Sequence, residues 1–184
     1  MQLQAILSIL DSIAPFDTAE QWDNVGLMVG DPYQEINSIL IALDPSFEVI
    51  QSAQSLSANL IISHHPLIFA LLMRIDLHDR VSRKIGMLIK SGTALVSMHT
   101  NLDAADGGVA DVLAGRLSIQ DVQSFGPMRY GTIKDPQQLS SWAMSLPFDT
   151  VRIVDANIPV KNVCACPGSG MGYLEDARNL GCDT

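Results

Sequence analysis

A chain of 184 residues with a hydrophobic fraction of 47% and a charged fraction of 17% can bury a real core and is not a disordered one. Twenty acidic against 11 basic residues give a net charge of −9, which repels nucleic-acid backbones and anionic membranes and argues against a general nucleic-acid binder. The start, Met1-Gln2-Leu3-Gln4, has no basic leader region, and the longest apolar stretch, Leu67 to Met73, is too short to span a bilayer.

Leu3, Ile6, Leu7, Leu10 and Ile13 follow helical spacing, which predicts an amphipathic helix over 2–14 that stops before Pro15. Ser38 to Asp44 is a continuous apolar run ending in Asp, expected as a strand covered on both faces. Asp44-Pro45-Ser46 then opens a helix with a capping side chain and an early Pro, and Phe47, Ile50, Ala53 and Leu56 form its buried stripe. A strand at 59–63, a helix near 79–91, a strand at 93–98 and a helix near 106–115 follow. This alternation points to βαβ units and a mostly parallel sheet.

Beyond Leu117 the texture changes. Gly126-Pro127 marks a break, Tyr130 to Lys134 reads as a short strand, and Asp135-Pro136 caps a helix over 137–146. Strands near 150–154 and 160–166 precede a helix from about 171 to 180, introduced by Gly168-Ser169-Gly170. The expected fold class is therefore α/β and two-lobed, with mostly parallel or mixed sheets flanked by helices. The lobes are expected at 1–120 and 121–184, the second incomplete because the pattern stops on the start of a new segment at Cys182. Cys164, Cys166 and Cys182 are odd in number with no visible leader, which fits reduced thiols in the cytoplasm. Cys164-x-Cys166 lacks zinc-knuckle spacing and reads as strand packing.

The chemistry concentrates at two strand ends. The run Leu60-Ile61-Ile62-Ser63 ends in His64-His65-Pro66, and Ala94-Leu95-Val96-Ser97-Met98 ends in His99-Thr100-Asn101-Leu102-Asp103. Parallel α/β sheets gather their ligands beyond the carboxyl ends of strands. Adjacent strand residues face opposite ways, so both histidines can serve one site only if the chain turns there, and Pro66 supplies the turn. Imidazoles and a carboxylate with few basic neighbours suit a divalent metal, so His64, His65 and Asp103 are the candidate ligands. Asp103 alone would read as a helix N-cap. His99, four residues before Asp103, either ligates the metal itself or orients a ligand, and the preferred reading has it orienting a ligand or contacting substrate, as the candidate catalytic residue. His78 reads as a solvated loop residue. In Gln21-Trp22-Asp23-Asn24-Val25-Gly26-Leu27, Asp23 and Asn24 either form a turn beneath the indole or hydrogen-bond around a cleft. Gly168-Ser169-Gly170 before a helix resembles an anion cradle but reads better as a plain turn, and Leu67 to Met73 reads as core or as a loop buried by another subunit.

Three motifs, Trp22-Asp23-Asn24-Val25-Gly26-Leu27, Ser63-His64-His65-Pro66-Leu67-Ile68-Phe69 and His99-Thr100-Asn101-Leu102-Asp103, resemble the family named after NGG-interacting factor three. Its members often carry the name GTP cyclohydrolase I type 2 homologue. The resemblance extends through Arg129-Tyr130-Gly131 and Cys166-Pro167-Gly168-Ser169-Gly170, with departures at Ala110 and Pro167. It implies a two-lobed α/β protein with a dinuclear metal centre in the cleft between lobes, commonly built into a toroidal hexamer. It also implies His64, His65 and Asp103 as first-half ligands, and two more, a His and a Glu, from a C-terminal motif that this sequence does not reach.

Together these expectations describe a metal-dependent hydrolase in the cytoplasm. It would hold two divalent ions (zinc, iron or manganese) and act on a nucleotide or phosphorylated small molecule. No membrane or direct nucleic-acid partner is expected, and a homo-oligomer, a hexamer by resemblance, is. The competing classes are a non-catalytic metal-binding scaffold with a regulatory role and an inactive fragment.

Overall fold

A computed structural model describes residues 1–184, which divide into two compact units, Met1–Leu102 and Asp103–Thr184. The division falls earlier than the expected 120, because Ala114 and Ile119 are buried in the core of the second unit. In chain order the first unit contains α1 (Leu3–Ile13), β1 (Gly26–Val29), β2 (Ile39–Ala42), α2 (Phe47–Ser55), β3 (Leu60–Ser63), α3 (Arg80–Ser91) and β4 (Ala94–Ser97). A short helix, α4 (Thr100–Ala104), carries the chain across the division.

The four strands lie in the order β1-β4-β3-β2, with β2, β3 and β4 parallel and β1 antiparallel to β4. Side chains alternate across the sheet. Ile61 and Leu95 pack with Ile50 and Ala53 of α2 and Ile85 and Leu88 of α3. Leu60, Ala94 and Val96 pack with Leu3 and Ile6 of α1 on the other face. Full burial of a Leu or Ile side chain is worth about 1.5–3 kcal/mol, so these central strands anchor the unit. Local chemistry sets the helix limits: Ser46 accepts from Val49 N at the start of α2, Asp79 accepts from Ser82 N at the start of α3, and Gly92 ends α3 in the left-handed conformation.

Two expectations for this unit need correction. β2 is an edge strand and is covered on one face only: Leu40 packs inward while Ile41 is 78% exposed, because α1 does not extend over it. The segment at Gly26–Val29, for which no strand was expected, is β1. Antiparallel pairing with β4 specifies it.

The second unit holds α5 (Val109–Arg116), β5 (Gln120–Phe125), β6 (Met128–Gln138), α6 (Leu139–Ser145), β7 (Pro159–Ala165), a 3₁₀ turn (Met171–Tyr173) and α7 (Leu174–Asn179). Its sheet, β5-β6-β7, is antiparallel throughout, so the expected α/β fold with parallel or mixed sheets is built from one mixed and one antiparallel sheet. Gly126-Pro127 is the hairpin turn between β5 and β6. Asp135-Pro136 does not cap α6 but lies within β6, where the pairing with β7 shifts register between Thr132 and Gln137. Such an irregularity is where a strand tolerates Pro. The expected strand near 150–154 does not form, and Val154 is 98% exposed. Ile133, Trp142, Val160, Val163 and Ala165 form the core with Ala114 and Ile119. No helix is long and apolar enough to cross a membrane.

Candidate metal centre

The parallel register sets three strand ends level, with Ala42 opposite Ser63 and Ser63 opposite Ser97. The residues that follow each end are therefore neighbours in space: Asp44 after β2, His64 and His65 after β3, Met98 and His99 after β4. Two buried hydroxyls fix the turn that follows β3. Ser63 Oγ donates to His65 O at 2.8 Å and Ser97 Oγ donates to His64 O at 3.0 Å. Both serines are almost wholly buried, so each of these hydrogen bonds satisfies a group that water cannot reach.

The turn brings His64 and His65 beside His99. Ring centroids are 5.0 Å apart for His64–His65, 5.1 Å for His64–His99 and 5.7 Å for His65–His99. One ring nitrogen from each residue lies within 4.8 Å of those of the other two, a spacing that can hold a metal ion.

Each imidazole has its own orienting acceptor. His64 Nδ1 lies 2.9 Å from Met98 O, His65 Nδ1 2.7 Å from Asp44 Oδ1 and His99 Nδ1 2.9 Å from Asp23 Oδ1. Carbonyl and carboxylate oxygens only accept, so the proton belongs on Nδ1 in all three rings and Nε2 is the basic nitrogen. This is the pattern by which outer hydrogen bonds set the tautomer and orientation of metal-binding histidines.

Asp23 is the best-supported of these acceptors. Its side chain is fully buried, and it accepts from His99, from Thr100 N at 3.1 Å and from Thr100 Oγ1 at 2.6 Å. Burial alone would push its carboxyl upward. The hydrogen bonds from Thr100 and His99 outweigh that and hold it below the ordinary carboxylate value. Trp22 and Asn24 flank it. Trp22 meets His99 edge-on with centroids 6.3 Å apart, and Asn24 Nδ2 donates to Ile68 O at 2.6 Å. Both readings of this segment describe it: Gln21 and Trp22 lie in a turn, and Asp23 and Asn24 hydrogen-bond to His99, Thr100 and Ile68.

Of the sequence-derived candidates, His64, His65 and His99 come together. Asp103 is buried in the first turn of α4, not at a helix N-cap, and is not one of the three-imidazole group. His78 is exposed, as expected. The cysteines are free thiols, and burial pushes the Cys164 thiol up to about 11, consistent with packing and not with reactivity. The sequence reading missed Asp44 as the partner of His65. Its signal was present: two parallel strands of equal length, one ending in Asp and its neighbour in His.

Three imidazoles with fixed tautomers are a donor set suited to zinc, iron or manganese, so the residues fit a divalent ion. The fold and the cluster together define an α/β protein with three imidazoles at its strand ends that could hold a metal ion. The profile of the Duf34/NIF3 (NGG1p interacting factor 3) family matches residues 1–184, and the chain belongs to that family. The GTP cyclohydrolase 1 type 2 homolog of Clostridium perfringens is 35% identical over 206 residues, covering 100% of this chain and 75% of that protein. The protein of the same name from Streptomyces coelicolor is 39% identical over 200 residues, covering 99% of this chain and 70% of its own. Among solved structures, the Staphylococcus aureus hypothetical protein SA1388 superposes with a TM-score of 0.87 at 28% identity, over 100% of this chain and 77% of that one.

Proposed function

We propose that this protein is a metal-dependent hydrolase acting on a nucleotide or phosphorylated small molecule. The observation that carries the reading is the convergence of His64, His65 and His99 with every Nδ1 committed to an acceptor. In this reading His64, His65 and Asp103 hold the metal, two divalent ions in the complete site. The ions supply Lewis acidity for attack by water on a phosphoester or a purine ring. His99, tied to Asp23, holds and moves a proton at Nε2 or orients the substrate. The names of the clostridial and streptomycete relatives support the nucleotide as substrate class.

Cytoplasmic residence is part of the same proposal and rests on the three free thiols. Homo-oligomeric assembly, a hexamer in the reading taken from the family, rests on the loop after His65. Leu71 and Met73 are each 87% exposed there, more apolar surface than a monomer is expected to leave in water.

Elemental analysis of the purified protein, with His64→Ala and Asp103→Ala variants beside it, tests the assignment. The expected result is bound zinc, iron or manganese that both substitutions remove, together with release of product from nucleoside triphosphates by the metal-loaded protein. Unchanged metal content in either variant removes that residue as a ligand. Full metal content without turnover of nucleotides or phosphoesters moves the protein to the scaffold class.

A further inference from the structure

Beside the imidazoles lies an aromatic pair that the proposed chemistry does not use. Trp22 is 59% exposed and Phe69 is 55% exposed, and their ring centroids are 5.8 Å apart at an interplanar angle of 54°. Trp22 also meets the edge of His99. Large aromatic rings left this open forgo the stabilisation of burial, so an exposed pair touching a cluster of imidazoles calls for a ligand.

The pair is held in place from both sides. Asp23, next to Trp22, is pinned by Thr100 and His99, and Asn24 Nδ2 grips Ile68 O, next to Phe69. The segment at 22–24 thus ties the loop after β3 to the loop after β4. A platform fixed in this way loses little conformational freedom when a ring settles on it.

Charge decides what kind of ligand it takes. The hydrogen-bond partners of the imidazole Nδ1 atoms are two carboxylates and a backbone carbonyl, and the chain carries a net charge of −9. Without its metal, this corner offers aromatic faces and the Nε2 atoms as hydrogen-bond acceptors, with Lys84 the cation lining the hollow beside His65 and Asp44. It suits a neutral planar ring with N–H groups at its edge far better than a bare phosphate.

We propose that Trp22 and Phe69 form a stacking platform for the planar heteroaromatic ring of the substrate. A ring lying there presents its edge toward His99. The inference rests on the proposed hydrolase reading for its biological meaning, but ring binding itself does not require the metal.

The chain has two tryptophans, and the other, Trp142, is 8% exposed in the core of the second unit. Trp22 emission is therefore readable in a Trp142→Phe variant. Guanosine is titrated into metal-free protein, with ribose 5-phosphate as the control that keeps sugar and phosphate but lacks a ring. The expected result is saturable quenching by guanosine and none by ribose 5-phosphate. Phe69→Ala should weaken guanosine binding roughly 5- to 100-fold, the range of stacking on one aromatic side chain.

If Trp142→Phe folds poorly, saturation-transfer NMR on guanosine with wild type and Trp22→Leu gives the same comparison: transfer to the purine H8 in the first and its loss in the second. No saturable response to guanosine overturns the proposal, as does an equal response to ribose 5-phosphate. A blue shift of Trp22 that grows with protein concentration also overturns it, because a second copy then covers the pair. Metal content, measured separately, reports on the hydrolase reading whichever way the titration falls.

Discussion

Asp23 Oδ1 accepts a 2.9 Å hydrogen bond from Nδ1 of His99, a residue 76 positions further along the chain. The carboxylate is buried and ionised at neutral pH, so the His99 ring keeps its proton on Nδ1 and its basic nitrogen at Nε2. An amide in place of the carboxylate nearly preserves shape but removes the charge and can present N–H where an acceptor is needed. Asp23→Asn is therefore expected to keep the fold while shifting His99 toward the other tautomer. Long-range ¹H–¹⁵N spectra of the imidazoles check this directly. Turnover or metal affinity should fall about 10- to 100-fold, the usual effect of losing an outer partner. An unchanged His99 spectrum would show that the tautomer is set elsewhere.

The legibility of this site in the sequence follows the range of the forces involved. β3 and β4 are buried on both faces and read as apolar runs, so their ends, and the histidines at them, were plain. α2 and α3 announce themselves by Ser46, Asp79 and Gly92, whose effects are local. The partners of the imidazoles were harder. Met98 offers a backbone carbonyl, which no side chain signals. Asp23 lies in a segment whose form depends on Thr100 and His99 rather than on its own neighbours. β1 and β5 escaped because pairing across the sheet, not periodicity, specifies them, and every residue of β5 is exposed. Asp135-Pro136 misled for a related reason: the same dipeptide can start a helix or occupy a strand irregularity, and the pairing with β7 decides.

Ser97 contributes a hydroxyl that holds the peptide of His64 in place at 3.0 Å and is itself fully buried. Ser97→Ala leaves the His64 carbonyl short of a donor at a site where an unsatisfied group costs about 1–3 kcal/mol. The expected outcome is a drop in thermal midpoint of several degrees with metal affinity weakened beyond that of a distant core variant of equal stability. Ala53→Gly in α2 is a suitable reference, since it lies in the core away from the imidazoles. Equal metal affinity in the two variants would reduce Ser97 to an ordinary core residue. Melting curves and a competitive metal titration on the same samples give both numbers.

In the second unit Arg129 is fully buried and every donor of its guanidinium is engaged. Nε pairs with Asp111 Oδ1, Nη1 donates to the Gly126 and Met128 carbonyls, and Nη2 donates to the Ala104 and Ala105 carbonyls at the end of α4. The hydrogen bond from Arg129 is the main reason the Asp111 carboxyl is held below its ordinary value. A depressed folded-state value means the unfolded chain takes up the proton first as pH falls. The pair's contribution is thus complete above the unfolded carboxylate value of about 3.9 and is lost as pH drops through the lower folded value. Removing one partner of a buried pair costs about 3–5 kcal/mol, and partial exposure of Asp111 places Asp111→Ala at or below the bottom of that range. Urea midpoints of wild type and Asp111→Ala should therefore differ by a constant amount from pH 8 to pH 5 and converge below pH 4. A difference that persists undiminished to pH 2.5 would mean that Asp111 acts through packing and its hydrogen bond from Gly107, not through its charge on Arg129.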